Sequence, residues 1–275
     1  MTPDSFAFLA GLVKARSGIV LTVDKGYMLE TRLGPLLRRE GLPGLDALAL
    51  RLRSGRDERL AIELVEALTT NESSFFRDGR PFAHLKSLLP RLAAVRPAGQ
   101  PLRIWSAACS SGQEAYSIAM VAAELGPALG GRRVEILGTD LSREMLERAR
   151  QGLFTQFEVQ RGLPVQMLVR HFHQEGPRWR ISEALRAMVR WQFFNLLGDA
   201  RGLGRFDVVF CRNVLIYFDA PTKSRVLAML SDMLAPDGVV YLGGAETVLG
   251  LTDRLVPAAG ERGVYEPARP AARAG

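Results

Sequence analysis

From residue 102 onward, short apolar runs rich in β-branched and aromatic residues alternate with longer segments of helical periodicity. The short runs predict strands at residues 102–106, 134–138, 206–211 and 239–243. The segments between them predict helices near residues 114–125, 142–150 and 221–234. Because parallel strands need a crossover connection, this alternation constrains the chain to an α/β fold with a parallel sheet wrapped by helices on both faces.

The first 70 residues carry helical patterns only. A helix should begin at Thr2-Pro3-Asp4 and end at Gly18, and further helices are expected at residues 25–32, 45–52 and 58–68. The pair Gly34-Pro35 should break or kink the second of these helices. We therefore predict an all-α N-terminal domain over residues 1–70, followed by the α/β domain over residues 71–275.

The alternation is interrupted between residues 161 and 195. Two short alternating runs occur there, at residues 179–181 and 188–193, together with the turn Glu175-Gly176-Pro177. Alternation of this kind is typical of half-buried strands. It predicts a small antiparallel β-subdomain inserted at about residues 163–193.

Composition narrows the possible functions. No apolar run approaches the roughly 18 residues that cross a bilayer, and the first residues lack the features of a signal peptide, so we expect a cytoplasmic protein. Two separated cysteines and three histidines predict neither a metal site nor a disulfide framework. The formal net charge of +7 suits an acidic partner, but the basic residues are scattered, so an ordinary arginine-rich surface is an equal alternative.

The first predicted strand leads into a turn of small residues, 106–112, followed by a helix. Such a turn lets a ligand approach the backbone N–H groups. The glycine fingerprint that holds a pyrophosphate is absent, since only Gly112 is glycine, so the turn predicts a nucleoside ligand without pyrophosphate or, alternatively, an ordinary tight turn. The second strand ends at Asp140, whose carboxylate can accept both ribose hydroxyls or cap the following helix.

Two further segments place polar groups where ligands bind. The third predicted strand delivers Arg212 and Asn213 to the carboxyl edge of the sheet, where open α/β sheets bind their ligands. Tyr217 follows this strand. Either its hydroxyl reaches a substrate, or the residue is simply a buried aromatic side chain. Residues 70–78 are dense in polar groups at the junction of the two predicted domains, and clefts between domains are favoured ligand sites.

Three long motifs now make a family resemblance visible: TNESSFFR at residues 70–77, CSSGQEAYS at 109–117 and FDVVFCRNVLIYF at 206–218. In order and spacing they resemble the CheR-type chemotaxis receptor methyltransferases, over nearly the whole chain. The resemblance implies a helical receptor-docking domain and a Rossmann-like methyltransferase domain with a β-subdomain insert. It also implies methyl transfer from S-adenosylmethionine, leaving S-adenosylhomocysteine, to glutamate carboxylates on the cytoplasmic helices of the receptors.

The resemblance also implies roles for single residues. Glu114 and Asp140 would hold the amino-acid end and the ribose of the cofactor, while Arg77 and Tyr217 would face the substrate carboxylate as the catalytic pair. The positions that would bind the cofactor are Asn71, Ser73, Arg77, Glu114, Asp140, Asn195, Leu196, Arg212 and Asn213.

Two departures from the family pattern matter. The family's Gly-Glu-Glu-Pro-Tyr is replaced by Gly-Gln-Glu-Ala-Tyr at residues 112–116, which retains the second acid, so we expect cofactor binding to survive. The stretch from His171 to Trp179 is short, whereas relatives that grip a receptor's C-terminal pentapeptide have a longer loop there. We therefore expect this chain to bind receptors without that tether.

Partners and alternative functions complete the expectations. Basic residues of the helical domain would form a docking face for acidic receptor helices, unless they are only solvated surface charge: Lys25, Arg32, Arg38 and Arg39. We expect no nucleic-acid partner, no membrane insertion and a monomer. Three alternatives stay open: a nucleic-acid methyltransferase, which would need side chains that stack a base; a non-catalytic cofactor-binding module; and a nicotinamide oxidoreductase, which the missing glycine fingerprint disfavours.

Overall fold

The computed structural model describes residues 1–268 and divides the chain into two compact units. The first unit contains Met1–Thr70 and Tyr217–Thr222, and the second contains Asn71–Ile216 and the chain from Lys223 onward. The predicted domain bounds, 1–70 and 71–275 with an insert at about 163–193, stay a prediction, and residues 269–275 lie outside the described part.

The first unit is helical, as predicted. Its helices are α1 (Pro3–Ser17), α2 (Gly26–Arg39), α3 (Leu45–Arg53) and α4 (Glu58–Leu68). Helix α1 begins where the sequence indicated, because the Thr2 hydroxyl accepts a hydrogen bond from the Ser5 N–H. It ends at Gly18, which has the left-handed φ of 80° common at helix ends. The predicted start and stop of this helix are confirmed.

Helix α2 corrects one expectation. It runs without a break from Gly26 to Arg39 with Pro35 inside it, so a break at Gly34-Pro35 is wrong, while the alternative of a kink stays a prediction. Proline removes one backbone hydrogen bond of the helix. Leu29, Leu33 and Leu36 are nevertheless buried along one face, and such packing supplies most of a helix's stability.

The second unit is an α/β structure, which confirms the predicted fold class. Its strands are β1 (Leu102–Ala107), β2 (Val134–Asp140), β3 (Leu153–Thr155), β4 (Phe172–Glu175), β5 (Arg178–Ile181), β6 (Val189–Phe193), β7 (Phe206–Cys211), β8 (Leu234–Leu242), β9 (Leu255–Pro257) and β10 (Val264–Pro267). Its helices are α5 (Arg80–Val95), α6 (Gln113–Leu125), α7 (Arg143–Gln151), α8 (Gln156–Gln160), α9 (Val165–His171), α10 (Glu183–Ala187) and α11 (Ala220–Met233), the last of which begins in the first unit's short second segment.

The main sheet has seven strands in the order β6-β2-β1-β7-β8-β10-β9. Strand β1 pairs in parallel with β2 on one side and with β7 on the other, and only β10 and β9 run antiparallel to their neighbours. The strand order therefore reverses at β1. In open α/β sheets, ligands bind beyond the carboxyl ends of the strands at such a reversal.

A separate antiparallel sheet of three strands, in the order β3-β5-β4, forms the predicted β-subdomain sheet. Strands β4 and β5 pair from Glu175 and Arg178, so only Gly176 and Pro177 connect them. The run at residues 188–193 does not join this sheet. It contains β6, which pairs in parallel with β2 at the edge of the main sheet, because a short alternating run fits an edge strand of either sheet. That strand assignment is corrected.

Helix α5 was not predicted, although it carries a helical signal. Leu85, Leu89 and Leu92 are spaced three or four residues apart, and all three are buried in the core of the second unit. Among the described residues, no helix is both long enough and apolar enough to cross a bilayer.

Candidate functional site

The loop between β1 and α6 is strained and tightly packed. Ala108 and Ser110 have left-handed φ angles of 59° and 51°, and Gly112 follows with a φ of 95°. A β-carbon at Gly112 would lie 2.9 Å from the Ala149 β-carbon and 2.9 Å from Cη2 of Trp191. Position 112 therefore requires glycine both for its backbone conformation and for the close approach of its neighbours.

Backbone strain clusters at the three motifs. Within residues 1–268, five residues other than glycine have a left-handed φ, and all lie in a motif or next to one: Phe76, Asp78, Ala108, Ser110 and Asn213. Each such conformation costs on the order of 1–3 kcal/mol and persists only where the surroundings enforce it. This clustering indicates a functional site at the carboxyl edge of the sheet.

A buried ion pair joins Glu114, in the helix after β1, to Arg212, which follows β7. The Arg212 side chain is 2% exposed, and its Nη1 lies 3.1 Å from Oε2 of Glu114. Its Nη2 donates to Oδ2 of Asp78 at 2.6 Å and to the carbonyl oxygen of Arg77 at 2.8 Å. Glu114 Oε1 accepts from the Ser106 hydroxyl at 2.8 Å. Burial raises the pKa of Glu114, although Arg212 and Ser106 oppose that effect.

Asp140, at the end of β2, joins two loops. Its Oδ2 accepts from the Ser110 N–H at 2.8 Å, and its Oδ1 accepts from the Ser142 N–H at 2.8 Å. The N-cap of α7 is Ser142, which accepts from the Met145 N–H, so Asp140 is not the helix cap that the sequence left open. Its role at a ribose stays a prediction.

The motif at residues 70–77 is attached to the same loops. The Ser110 hydroxyl donates to the Asn71 carbonyl oxygen at 2.8 Å, and the Phe76 N–H donates to Oγ of Ser117 in α6 at 2.9 Å. Arg77 is partly exposed and donates to the Glu72 carbonyl oxygen at 3.1 Å. Ser73 lies in the same segment and is partly exposed. The structure thus brings this motif together with the loop after β1.

Asn195 and Leu196 follow β6 at the same edge. The N–H of Phe194 donates to the Asp140 carbonyl oxygen at 3.1 Å, which holds this loop beside the end of β2. Asn195 Oδ1 accepts from the Leu197 N–H at 3.0 Å, and Leu196 is half-buried. After β7, the N–H of Asn213 donates to Glu246 at 2.9 Å. Glu114, Asp140, Asn195, Leu196, Arg212 and Asn213 thus follow or end β1, β2, β6 and β7, whereas Asn71, Ser73 and Arg77 lie on the segment before α5.

Tyr217 belongs to the first unit. It ends the short 3-10 helix Leu215–Tyr217, is half-buried, and its carbonyl oxygen accepts from the Val20 N–H at 2.9 Å. Its role at the substrate stays a prediction.

Two of the four predicted docking residues have partners inside the first unit. Arg32 Nη1 donates to the carbonyl oxygens of Leu68 and Thr69, at 3.0 and 2.9 Å. Arg39 forms ion pairs with Glu40 and Glu63. Lys25 ends the short 3-10 helix that precedes α2, whereas Arg38 lies within α2. The docking role of all four residues stays a prediction.

Three polar residues at this edge of the sheet were not predicted from the sequence. Ser106 bonds to Glu114, Asp78 pairs with Arg212, and Glu246 accepts from the loop after β7. Ser106 lies in the turn of small residues and Asp78 in the polar segment 70–78, both of which the sequence had indicated, so a signal was available for them. Glu246 offers only an acidic residue shortly after a predicted strand.

A separate cavity of about 820 Å³ lies at the opposite edge, around the amino ends of the strands. Arg103, Val134, Val189 and Phe206 are among its lining residues, and none of the predicted site residues is. The cavity is therefore distinct from the motif-bearing edge. Within residues 1–268, no group of three or more His, Cys, Asp or Glu side chains is placed to hold a metal ion.

The site has the donor set for an amino-acid head group. Arg212 Nε is buried without a hydrogen-bond partner, and the buried carboxylate of Glu114 lies beside the same guanidinium. The Nε atoms of Arg132 and Arg186 are buried without a partner as well, so what distinguishes Arg212 is its place beside Glu114 at the motif-bearing edge. An unused cationic donor next to a carboxylate complements a ligand that bears both a carboxylate and an ammonium group.

Comparisons with known proteins agree across the chain. The family described as "CheR methyltransferase, SAM binding domain" matches residues 71–264, and "CheR methyltransferase, all-alpha domain" matches residues 4–69. The chain is 42% identical over 241 residues to Chemotaxis protein methyltransferase Cher2 of Pseudomonas putida, covering 86% of this chain and 87% of that protein.

Two further relatives are similar to the same extent. Chemotaxis protein methyltransferase 1 of Pseudomonas aeruginosa is 43% identical over 243 residues, again covering 86% of this chain and 87% of that protein. A chemotaxis protein methyltransferase of Vibrio parahaemolyticus is 39% identical over 247 residues, with 88% and 89% covered.

Proposed function

The chain belongs to the CheR methyltransferase family, and from that premise we propose that it methylates glutamate side chains of chemotaxis receptors. It is an S-adenosylmethionine-dependent methyltransferase of chemotaxis, so the membership indicated by the three motifs is confirmed. The observation that best supports the chemistry is the buried Arg212–Glu114 pair at the carboxyl edge of the sheet. Nothing in residues 1–268 favours a nucleic-acid substrate or a non-catalytic module.

The cofactor supplies a labile methyl group on a sulfonium when it is bound. We assign the amino-acid head to Glu114 and Arg212, because their carboxylate and buried Nε match its two charges. Asp140 would accept the ribose hydroxyls at the end of β2. The remaining contacts would come from Asn71, Ser73, Arg77, Asn195, Leu196 and Asn213.

The substrate carboxylate needs alignment rather than activation. A glutamate side chain has an ordinary pKa of about 4.3, so it is already ionised at neutral pH and requires no general base. Holding it in line with the methyl–sulfur bond can lower the barrier by roughly 7–11 kcal/mol. Arg77 would orient the carboxylate by charge-assisted hydrogen bonds, and Tyr217 by its hydroxyl. Too tight a grip would stabilise the ground state and slow the transfer.

The receptor would be recognised in the cytoplasm through its acidic signalling helices. The positive docking charge of the helical unit would come from Lys25, Arg32, Arg38 and Arg39. The two-residue connection at Gly176-Pro177 supports a mode of binding without the receptor's C-terminal pentapeptide. We expect the enzyme to act as a monomer.

The deciding experiment combines binding with transfer. The full chain is titrated calorimetrically with S-adenosylhomocysteine, and methyl-labelled S-adenosylmethionine is then supplied with membranes rich in chemoreceptors. The proposal expects binding and a base-labile label on the receptor, as a glutamate methyl ester requires. A base-stable label, or binding without transfer to receptors, would overturn the glutamate assignment.

Variants at the two proposed orienting residues sharpen this test. Arg77→Ala should weaken engagement of cofactor or substrate, and Arg77→Lys should keep the charge but lose the planar fork of donors. Tyr217→Phe should lower turnover while leaving the affinity for S-adenosylhomocysteine unchanged. A Tyr217→Phe enzyme that methylates receptors at the parent rate would remove Tyr217 from the mechanism.

A further inference from the structure

A second buried carboxylate lies at the carboxyl edge of the sheet and is not explained by the roles above. Glu246 follows β8 and is 9% exposed. Its N–H donates to the Gly243 carbonyl oxygen at 2.9 Å, closing a tight turn directly after the strand. Strand β8 pairs with β7, so this turn lies beside the loop that carries Arg212 and Asn213.

The Glu246 carboxylate joins the two loops. Its Oε2 accepts from the Asn213 N–H at 2.9 Å and from the Gly243 N–H at 2.6 Å, and its Oε1 accepts from the Ile216 N–H at 3.2 Å. Hydrogen bonds to an ionised acceptor are about twice as strong as those between neutral groups. Two points of the loop after β7 are thus held by one side chain of the loop after β8.

The backbone that Glu246 holds is strained at Asn213. Asn213 has a left-handed φ of 59°, a conformation that needs support from its surroundings. A β-carbon at Gly243 would lie 2.7 Å from Nδ2 of Asn213 and 2.8 Å from Oε2 of Glu246. Glycine at position 243 therefore permits the Asn213 side chain and the Glu246 carboxylate to lie where they do.

We propose that Glu246 is a positioning residue for methyl transfer: its carboxylate holds Asn213 in the conformation that presents its side chain to the cofactor. The inference rests on the proposed function, in which Asn213 contacts S-adenosylmethionine. Glutamine at position 246 would direct an amide N–H₂ at backbone donors and would supply a neutral acceptor in place of the carboxylate. The strained loop would lose at least one of the bonds that hold it, and the bonds that remain would weaken.

The test measures cofactor affinity against stability in the full chain. Glu246→Gln should raise the Kd for S-adenosylhomocysteine about tenfold, the effect of about one charged hydrogen bond. Asp207→Asn is the matched control: Asp207 is 6% exposed and accepts from the Arg103 N–H and from Arg96 Nε, at 2.7 and 2.6 Å. It lies at the start of β7, away from the loop, so its loss should lower the thermal midpoint but change the Kd by less than about twofold.

A second variant keeps the carboxylate and guards against a Glu246→Gln chain that does not fold. Gly243→Ala inserts a methyl group between Asn213 and Glu246 and should also raise the Kd about tenfold. Asn213→Gly keeps the left-handed backbone without its side chain, so Glu246→Gln should have a smaller effect in that background than in the parent.

Three outcomes would overturn the inference: a Kd unchanged in both Glu246→Gln and Gly243→Ala, an equal rise in Asp207→Asn, or strictly additive effects of Glu246→Gln and Asn213→Gly. A different result would contradict the proposed function. A parent chain that binds S-adenosylhomocysteine but labels no receptor glutamate contradicts the substrate, while the Kd values still decide the role of Glu246.

Discussion

The two compact units differ in how deeply their most buried ion pairs lie. In the helical unit, ion pairs lie at the surface, as between Arg16 and Glu58, whose side chains are 34% and 67% exposed. In the second unit, Arg212 is almost fully buried between Glu114 and Asp78. Exposed pairs contribute little and can be exchanged. A buried pair cannot lose one member without leaving a charge in apolar surroundings.

The two units also differ in where the backbone has positive φ angles. The turns of the helical unit use glycine wherever φ is positive, at Gly18, Gly41 and Gly55. In the second unit, five residues with side chains occupy that region, all at the motifs. Strain and buried charge are thus concentrated in one unit, where ligand chemistry is expected. The helical unit should tolerate substitutions that the other cannot.

The largest expected effect comes from breaking the buried pair. Arg212→Met leaves Glu114 without its cation and should destabilise the second unit by about 3–5 kcal/mol. Tryptophan fluorescence in urea reports on this unit alone, because the three tryptophans are Trp105, Trp179 and Trp191. The matched change in the helical unit, Arg16→Met, breaks a pair that is partly exposed and should cost far less. Far-UV ellipticity follows this variant, because the tryptophans do not report on the helical unit.

A double variant tests whether the lost stability comes from the unpaired charge of Glu114. Arg212→Met with Glu114→Gln removes both charges, so it should recover part of the stability lost in Arg212→Met. Equal losses in Arg212→Met and Arg16→Met would show that burial does not distinguish the two units.

Much of the fold could be predicted because its signals are local. The strands β1, β2 and β7 were located within two residues, since buried parallel strands are continuous apolar runs bounded by turns. The break at Pro35 and the place of residues 188–193 were wrong because both depend on packing partners distant in the sequence. The early start of β8 at Leu234 was missed because Pro236 and Gly238 read as a turn.

The sequence allowed the residues of the site to be predicted, but not the contacts between them. Glu114 and Arg212 were both identified from motifs, yet their pairing requires β1 and β7 to be neighbours across about 100 residues of chain. Strand order is set by the packing of the whole sheet. Glu246 was missed for the same reason, since its three bonds reach loops after two different strands.

Overpacking the second unit should have the next largest effect. A β-carbon at Gly138 would lie 2.5 Å from Cε3 and Cζ3 of the Trp191 ring. Gly138→Ala should therefore destabilise the unit by about 1–3 kcal/mol, measured by urea unfolding. Trp191→Leu should make room for the added methyl group, so Gly138→Ala should cost less in that background. An unchanged cost would mean that the ring is not the obstacle.

The pH dependence of cofactor binding should show a smaller effect that depends on the buried carboxylate. Burial raises the pKa of Glu114 above 4.5. In the free chain this favours the protonated form at low pH, and that contribution to stability is lost as pH rises through the raised pKa. The affinity for a ligand's ammonium group depends on pH in the opposite direction, because that group binds the ionised carboxylate. Affinity is complete above that pKa and falls about tenfold for each pH unit below it, or about 1.4 kcal/mol.

Titration calorimetry with S-adenosylhomocysteine across neutral and acidic pH measures this directly. Affinity should decline on acidification before ordinary glutamates protonate. Glu114→Gln should bind more weakly at neutral pH and lose the acidic decline. An identical pH profile in Glu114→Gln would assign the titration to another group and remove Glu114 from the amino-acid head.

The smallest expected effect is a gain, and it tests the tolerance of the helical unit. Gly11 lies exposed within α1, and a β-carbon there would meet no atom within 4 Å. Gly11→Ala should stabilise that unit by about 0.5–1 kcal/mol, because alanine loses less conformational freedom in a helix. The midpoint of thermal unfolding, followed by far-UV ellipticity, should rise. Gly41→Ala is the control, since its surroundings are equally open but its φ is +63°, so it should lower the midpoint. A Gly11→Ala chain that unfolds earlier would show that open space around a residue does not predict tolerance here, and the contrast between the two units would then rest on buried charge alone.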